Sequence, residues 1–512
     1  MPEPRLEHQN VKIRQLIEDY RLGRMVIPEF QREYVWRRSR APKLIDSLYR
    51  GFPISSLLLW YSSDETRARR RDLTPPRGSP INWLIDGQQR VITLSRTLSG
   101  DDGINVVFQP EAEEFQLVSA ATRRDRNWFR VSELWDDNLY LQLRRSLPDS
   151  PGGQAREAKF EKVRRILDYE VPVVKMIDHS FDAAVNAFTR INSLGVKLKR
   201  EDIESAKVAA RHTGFIVDEV LPYLESLHRQ GFTRLHIMHL FRACAFVARP
   251  DGRNRTPLHE LERGEVTGAW RRTQHATDEA LDLVRTELSL ANMDILWSGT
   301  LLVPVIALCA STPPRERDSK GIVGWLATAA LLHRYSGSAE SSLDQDLRAC
   351  RANDAIGALL TNLRRNEGGV RAVPNDFKGG TVDRGALLGT YVACHHRGLR
   401  DIVSGVRMQQ PKAVGRLHIF PRARFPQHMR SSADLIVYSV FTSGAQNALT
   451  TTRSPSVRLG RLNPEVLRSQ CIPNDTPLRN IDHAEELWGV RRNLLAEAFN
   501  DFLRETLPNR RL

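Results

Sequence analysis

The sequence predicts a chain of three parts: an α+β domain over residues 1–210, an all-helical region over 211–405, and a small mixed unit over 406–512. Three observations predict it. The first two hundred residues alternate short apolar runs of strand length with amphipathic stretches of helical period. From about 200 to 405 the apolar residues recur at helical spacing, as in GFIVDEVLPYLESLH, LHIMHLFRACAFVA and GIVGWLATAALLHRY. Beyond Pro411 a strand, AVGRLHIF, precedes a polar loop and a last helix, AEELWGVRRNLLAEAFNDFL. At 512 residues the chain exceeds what one hydrophobic core supports, so two to four domains are expected.

In order, VKIRQLIEDYRL (11–22) reads as a helix that Gly23 ends. APKLIDSLYRGF reads as an amphipathic helix marked by Leu44, Ile45, Leu48 and Phe52, and PISSLLLWY as a buried strand. From Asp64 to Pro80 an arginine run and the loop formers TPPRGSP predict an exposed basic loop, in which Arg67, Arg69, Arg70 and Arg71 are candidate DNA contacts. INVVF and EFQLVSA follow as strands. No repeat of fixed period is visible.

The formal net charge is +14, carried mostly by arginine, whose planar fork suits phosphate better than lysine's point charge. Nucleic acid is therefore the first partner to test, against the plainer reading of a solvated basic surface. Five cysteines, far apart and without CxxC spacing, fit a reducing cytoplasm and exclude a zinc framework. Cys394, His395 and His396 are read as structural, because adjacent helical residues diverge around the axis. No apolar run approaches the ~20 residues of a membrane span, and MPEPRLEHQN lacks the basic and apolar segments of a signal peptide. The expectation is a soluble, cytoplasmic protein.

The stretch LIDGQQRVIT, Leu84 to Thr93, sets five polar or flexible residues between two apolar runs. As a plain turn it needs Asp86 and Gly87 for the bend and has no use for Gln88, Gln89 and Arg90. As a binding element, Gly87 lets the backbone approach a phosphate, Arg90 offers a bidentate charged fork, and the glutamine amides orient a ligand. Asp86 then orients Arg90 or holds a metal. A second polar set, Pro28, Gln31, Arg32, Tyr34 and Trp36 in IPEFQREYVW, interrupts another apolar stretch. Two such sets in one small domain suggest one pocket.

On VIPEFQREYVW, LIDSLYRGFPISSLLLW, LIDGQQRVITL and FTRINSLGVKLKREDIESA (Phe188 to Ala206), in that order, the chain resembles the DGQQR-motif domain of the ParB/sulfiredoxin-like fold. That domain is found in GmrS-type modification-dependent restriction proteins and in the phosphorothioate-sensing protein SspE. HRYSGSAESSLDQDL (His333 to Leu347) resembles the helical region that follows it. The resemblance implies a pocket that binds and hydrolyses a nucleoside triphosphate and is coupled to detection of modified DNA. Gln31, Arg32, Asp86, Gly87, Gln88, Gln89 and Arg90 would line it, with Arg190 and Asn192 close by. At Lys199 the family often has a serine or threonine that would cap a helix.

LHIFPRARF (Leu417 to Phe425), Asn447 in SGAQNALT, the following SPSVRLGRLNPEVL, and Arg491, Arg492 and Leu495 of the last helix together resemble the GmrD-type HNH nuclease domain. Without the family, His418 is a partly buried histidine on a strand and Asn447 a turn residue. The resemblance implies a ββα-metal fold in which His418 is the general base beside a divalent metal, Mg2+ or Mn2+, and Asn447 braces the histidine's loop. Two positions depart from the pattern. Leu417 stands where the family has an acidic residue or a second histidine, and Ser456 where it has another polar ligand. Leucine cannot hold a metal and serine is a poor ligand. His428, Asp434 and Asp475 are the nearest polar candidates for a replacement.

Together the resemblances imply a bacterial anti-phage defence protein, a nucleoside-triphosphate-dependent endonuclease or nickase acting on double-stranded DNA, modified DNA included. The alternative is a DNA-binding regulator or sensor whose HNH-like domain no longer cleaves. A homo-oligomer, or a partner protein of a defence system, stays open.

Overall fold

The computed structural model describes residues 3–29, 31, 34, 36–62, 81–100, 104–194, 200–249, 257–367, 369–380, 383–409, 413–420, 425, 427, 435, 438–443 and 462–508, without the side chains of 182, 189, 192–194, 200–202 and 365–367. The chain forms two compact units, Met1–Val220 and Leu221–Leu512.

The first unit is built on a five-stranded mixed sheet. In chain order its strands and the intervening elements are β1 (Arg5–Lys12), α1 (Ile13–Arg21), β2 (Met25–Val26), α2 (Arg40–Tyr49), β3 (Leu57–Ser62), β4 (Ile81–Asp86) and α3 (Gln88–Ser99). A small sheet follows, of β5 (Val106–Gln109), β6 (Glu114–Leu117) and β7 (Phe129–Arg130), together with four helices, α4 (Ala120–Arg124), α5 (Val131–Trp135), α6 (Asp137–Ser146) and α7 (Pro151–Arg164). Then come β8 (Glu170–Ile177), α8 (Phe181–Leu194) and α9 (Arg200–Arg211). The large sheet runs β1-β8-β3-β4-β2. β8 and β3 are parallel, as are β4 and β2, while β1 with β8 and β3 with β4 are antiparallel. The predicted strands INVVF and EFQLVSA form β5 and β6 of the small sheet.

The apolar stripe of α1, Ile13, Leu16, Ile17 and Tyr20, packs with Leu44, Ile45 and Leu48 of α2, Val91 and Leu94 of α3, and Leu57, Leu59 and Leu84 of the sheet in one core. Gly23, at φ +73°, follows the end of α1 in the left-handed region. The predicted second helix stops at Tyr49, so Phe52 is not part of its buried stripe but is exposed. The predicted basic loop, with Arg67, Arg69, Arg70 and Arg71, lies outside the described residues.

The expected boundary at 210 falls short of the observed one. The chain stays with the first unit through a π-helical turn, Phe215–Val220, because the fully buried Glu29 accepts a hydrogen bond from the amide of Gly214 at 2.9 Å. The expected boundary at 405 does not separate units either. Helices α10 (Leu221–Arg229), α11 (Ile237–Ala248), α12 (Arg263–Leu288), α13 (Leu302–Ser311), α14 (Ser319–Leu331), α15 (Ala339–Ala349), α16 (Ala355–Glu367) and α17 (Arg384–His396) form one body with β9 (Gly415–His418), β10 (Ser439–Thr442), α18 (Pro464–Ser469) and α19 (Ala484–Thr506). Its centre is α14, buried from Ile322 to Leu331 and packed against both α17 and α19. Close approach is the reason for two glycines: a Cβ on Gly324 would stand 2.7 Å from Thr506 Oγ1, and one on Gly389 would stand 2.6 Å from Leu331 Cδ1. Cys394 is buried, His395 bonds the Ser289 hydroxyl at 3.0 Å and His396 faces Glu505 at 3.7 Å, so the three residues diverge as expected. No helix among the described residues is long and apolar enough to cross a membrane.

Candidate functional site

The DGQQR turn is where β4 ends and α3 begins. Asp86 closes the strand, Gly87 takes φ +97°, and Gln88 opens the helix. Glycine is required there twice over, by the left-handed φ and because a Cβ would lie 2.1 Å from Leu57 Cδ2 and 3.1 Å from Arg90 Nη2. The backbone at Gly87 is thus closely covered by protein atoms, which corrects the expectation that glycine is there to admit a phosphate.

Arg90 is likewise turned inward. Its Nη1 donates to the carbonyls of Ile54 at 2.6 Å and Ser55 at 2.8 Å, and its Nη2 donates to the Ser56 carbonyl at 2.9 Å and to Asp86 Oδ2 at 3.3 Å. Burial lowers the guanidinium's pKa and the neighbouring Asp86 opposes that shift. Four acceptors occupy the fork, so Arg90 serves as a clamp on the segment entering β3, where Ser55 sits at the strained φ of +69°. Asp86 keeps a third of its side chain exposed, against 12% for Arg90. The carboxylate, and not the guanidinium, is the charged group this turn presents.

The second polar set does meet the first. Gln31, 2% exposed, donates from Nε2 to the carbonyls of Ile85 at 2.5 Å and Leu84 at 3.3 Å, on the strand that delivers Asp86. Gln89 Oε1 accepts from the Trp36 amide at 3.2 Å, and the Tyr34 hydroxyl lies 2.9 Å from Thr93 Oγ1. Arg96 covers the Tyr34 ring at 4.7 Å. Gln88 is buried at the first position of α3. Gln31, Asp86, Gly87, Gln88, Gln89 and Arg90 are therefore one cluster, held at the amino end of a twelve-residue helix whose dipole favours an anion. α8 packs against β4 and carries Arg190, which is exposed; Arg32 and the side chain of Asn192 lie outside the described residues.

In the second unit, β9 and β10 pair antiparallel, with His418 opposite Ser439 and Leu417 opposite Val440. Three buried polar side chains hold this ribbon: Gln470 and Asp401, which the sequence does not single out, and Arg491, which it marks only through the resemblance. Gln470, wholly buried, accepts from the Phe441 amide at 3.0 Å and donates to the Phe441 carbonyl at 2.9 Å, so it completes β10 as a strand neighbour would. Arg491, also fully buried on α19, donates to the carbonyls of Ser439 at 2.8 Å and Gln470 at 3.0 Å. Asp401 accepts from the amides of Val403 at 2.7 Å, Ser404 at 3.0 Å and Ser443 at 2.6 Å, and from the hydroxyls of Thr442 at 2.9 Å and Ser443 at 2.7 Å. Burial pushes its carboxyl up, but the amides of Ser443 and Ser404, the Ser443 hydroxyl and the Val403 amide outweigh that and hold it at about 2. A usable signal for Asp401 was the Asp-Ile-Val-Ser-Gly turn sequence.

His418 is half-buried at the end of β9. Among the described residues no group of three His, Cys, Asp or Glu side chains could hold a metal ion. Asp475 is described and exposed, whereas Asn447, Ser456, His428 and Asp434 lie outside the described residues. The described donors near His418 therefore do not fit a divalent metal.

The first unit is a mixed α/β domain with a polar strand-to-helix turn, and the remainder of the chain is mostly helical. Residues 13–209, nearly the whole of that unit, match the family model described as GmrSD restriction endonuclease, N-terminal domain. This part of the chain is similar to the N-terminal region of GmrSD-type restriction proteins. No curated protein matches the chain.

Proposed function

We propose that this chain is a restriction-type defence protein acting on DNA, in which the cluster at the DGQQR turn binds and hydrolyses a nucleoside triphosphate and the C-terminal unit contacts and nicks the DNA. The carrying observation is that two polar sets, joined by contacts between residues 53 and 54 apart, converge at a helix amino end, inside the segment that matches the GmrSD N-terminal domain. Asp86 is the residue that faces a ligand there. Gln31, Gln89 and Arg90 are positioning residues, since each spends its polar atoms on backbone that shapes the turn. The mixed sheet supports a ParB/sulfiredoxin-like reading, and the ribbon anchored to α19 by Arg491 supports a ββα, HNH-like one, with His418 as general base and Asn447 as its brace.

A second reading, a DNA-binding regulator without cleavage, is favoured by Leu417 and by the lack of a three-ligand set among the described residues. One experiment separates the two. Full-length parent, Asp86→Asn and His418→Ala proteins are incubated with supercoiled plasmid, modified and unmodified, across a Mg2+ and Mn2+ series with and without each nucleotide. The nuclease reading expects nicking by the parent and at least a hundredfold loss in His418→Ala, consistent with the 10²–10⁴-fold typical of a general base. No nicking by the parent under any condition leaves the regulator. Undiminished nucleotide hydrolysis in Asp86→Asn removes the pocket assignment.

A further inference from the structure

Within the second unit, three arginines from separate elements gather with few acidic neighbours. Arg234 precedes α11, Arg384 opens α17, and Arg416 lies on β9 two residues before His418, on the same face of the strand. A chain of contacts brings the first two together. The Arg234 carbonyl and the His239 ring press on Gly299, where a Cβ would stand 2.5 and 2.6 Å from them. Two residues earlier, Trp297 meets the His333 ring at 6.1 Å. His333 in turn bonds Asp383 at 3.0 Å and lies against Gly385, the residues on either side of Arg384.

The state of the three guanidiniums is what sets this place apart. None makes an ion pair among the described residues. Arg384 is exposed, while Arg234 and Arg416 are half-buried. Arg416 Nη1 is buried with no hydrogen-bond partner, and so is the Trp297 indole nitrogen. A buried donor left unmade costs free energy that an acceptor from outside would recover. Burial, and next to it the Arg384 charge, lowers the pKa of both Arg234 and Arg416. The carboxylates nearest by are Asp294, which acts weakly on Arg234, and Asp383, which is committed to His333 and to the Ala386 amide. Like charges held together in this way ask for an anion with several oxygens.

We propose that Arg234, Arg384 and Arg416 form a phosphate cradle that holds a phosphodiester on the His418 face of the β9–β10 ribbon. The proposal rests on the reading of a DNA-acting C-terminal unit for its ligand, a nucleic-acid backbone, and on the unpartnered Arg416 Nη1 beside the exposed Arg384 for its anion chemistry. Such a cradle reads no bases, so it positions the duplex without selecting sequence.

The test uses the full chain and a fluorescent duplex of arbitrary sequence, with inorganic phosphate and a nucleoside triphosphate as competitors. Arg384 is exposed, so Arg384→Ala keeps the fold. The expected result is roughly tenfold weaker duplex binding, equal on a second unrelated sequence, with the slope of log K against log salt reduced by about 0.9. Arg416→Gln, checked for folding by circular dichroism, is expected to add to that loss. Weaker triphosphate binding with unchanged duplex binding overturns the phosphodiester assignment. Unchanged affinity for duplex, phosphate and triphosphate in both variants overturns the proposal. A parent protein that never nicks plasmid yet shows the arginine losses sinks the nuclease reading and leaves the cradle standing.

Discussion

Arg90 donates to three successive carbonyls and to Asp86, so removing it strands acceptors that hold a strained turn. Arg90→Ala is expected to destabilise the first unit by about 3–5 kcal/mol, the cost of breaking a buried charged network. Asp86→Asn keeps the shape and is expected to cost under about 1 kcal/mol. Thermal unfolding of the two variants checks this, and an unchanged midpoint in Arg90→Ala defeats the clamp. That DGQQR is special was legible from residue types, but Arg90's role was not, because its acceptors lie 34 to 36 residues away. Asp401 makes a second case. Its folded pKa, about 2, lies below the ordinary 3.8, so its contribution to stability is present above about pH 4 and is lost as pH falls toward 2. Asp401→Asn is expected to lower the unfolding midpoint at pH 7 and to narrow its gap to the parent by pH 2; equal midpoints at pH 7 would show that the five donors do not need the charge.

Elements were legible where their own periodicity sufficed. α1, α2 and α19 carry their buried residues at helical spacing, β3 and α14 are continuous apolar runs of strand and helix length, and each is legible in the sequence. β1 and β8 were not placed. β1, RLEHQNVK, is an edge strand exposed along most of its length, and only its register with β8 makes it a strand. The HRYSGSAESSLDQDL segment gains a physical reason at this scale. Arg334 and Asp346 are buried and paired at 3.0 Å through two bonds, with the Tyr335 hydroxyl at 2.7 Å and Asn362 Nδ2 at 2.9 Å also donating to Asp346. That network pins the turn after α14 to α15 and α16. Asp346→Ala leaves a buried guanidinium without its counter-charge and is expected to cost about 3–5 kcal/mol, read from the urea midpoint. A loss below about 1 kcal/mol would mean that water or another residue replaces the carboxylate.

At the scale of the whole molecule, the net charge of +14 predicts salt-sensitive association with nucleic acid. If the three cradle arginines are the contacts, duplex affinity is expected to fall roughly fortyfold between about 50 and 200 mM salt, and more if other arginines join them. A flat titration would reduce the basic surface to solvation.

By itself the sequence determined that the first part is mixed α/β and the remainder mostly helical, the likeness of its first part to a restriction N-terminal domain, and that IPEFQREYVW and DGQQR are polar sets set into apolar runs. Those properties follow from residue type and local period, which a chain carries wherever it folds. Only the tertiary structure decided that the helical region and the C-terminal segment are one unit, that Arg90 clamps carbonyls while Asp86 stays exposed, and that Gln470, Arg491 and Asp401 hold the ribbon bearing His418. Each of these depends on which backbone groups arrive beside a side chain from distant parts of the chain, and a guanidinium or carboxylate reads the same in sequence whether solvent, ligand or carbonyl will meet it.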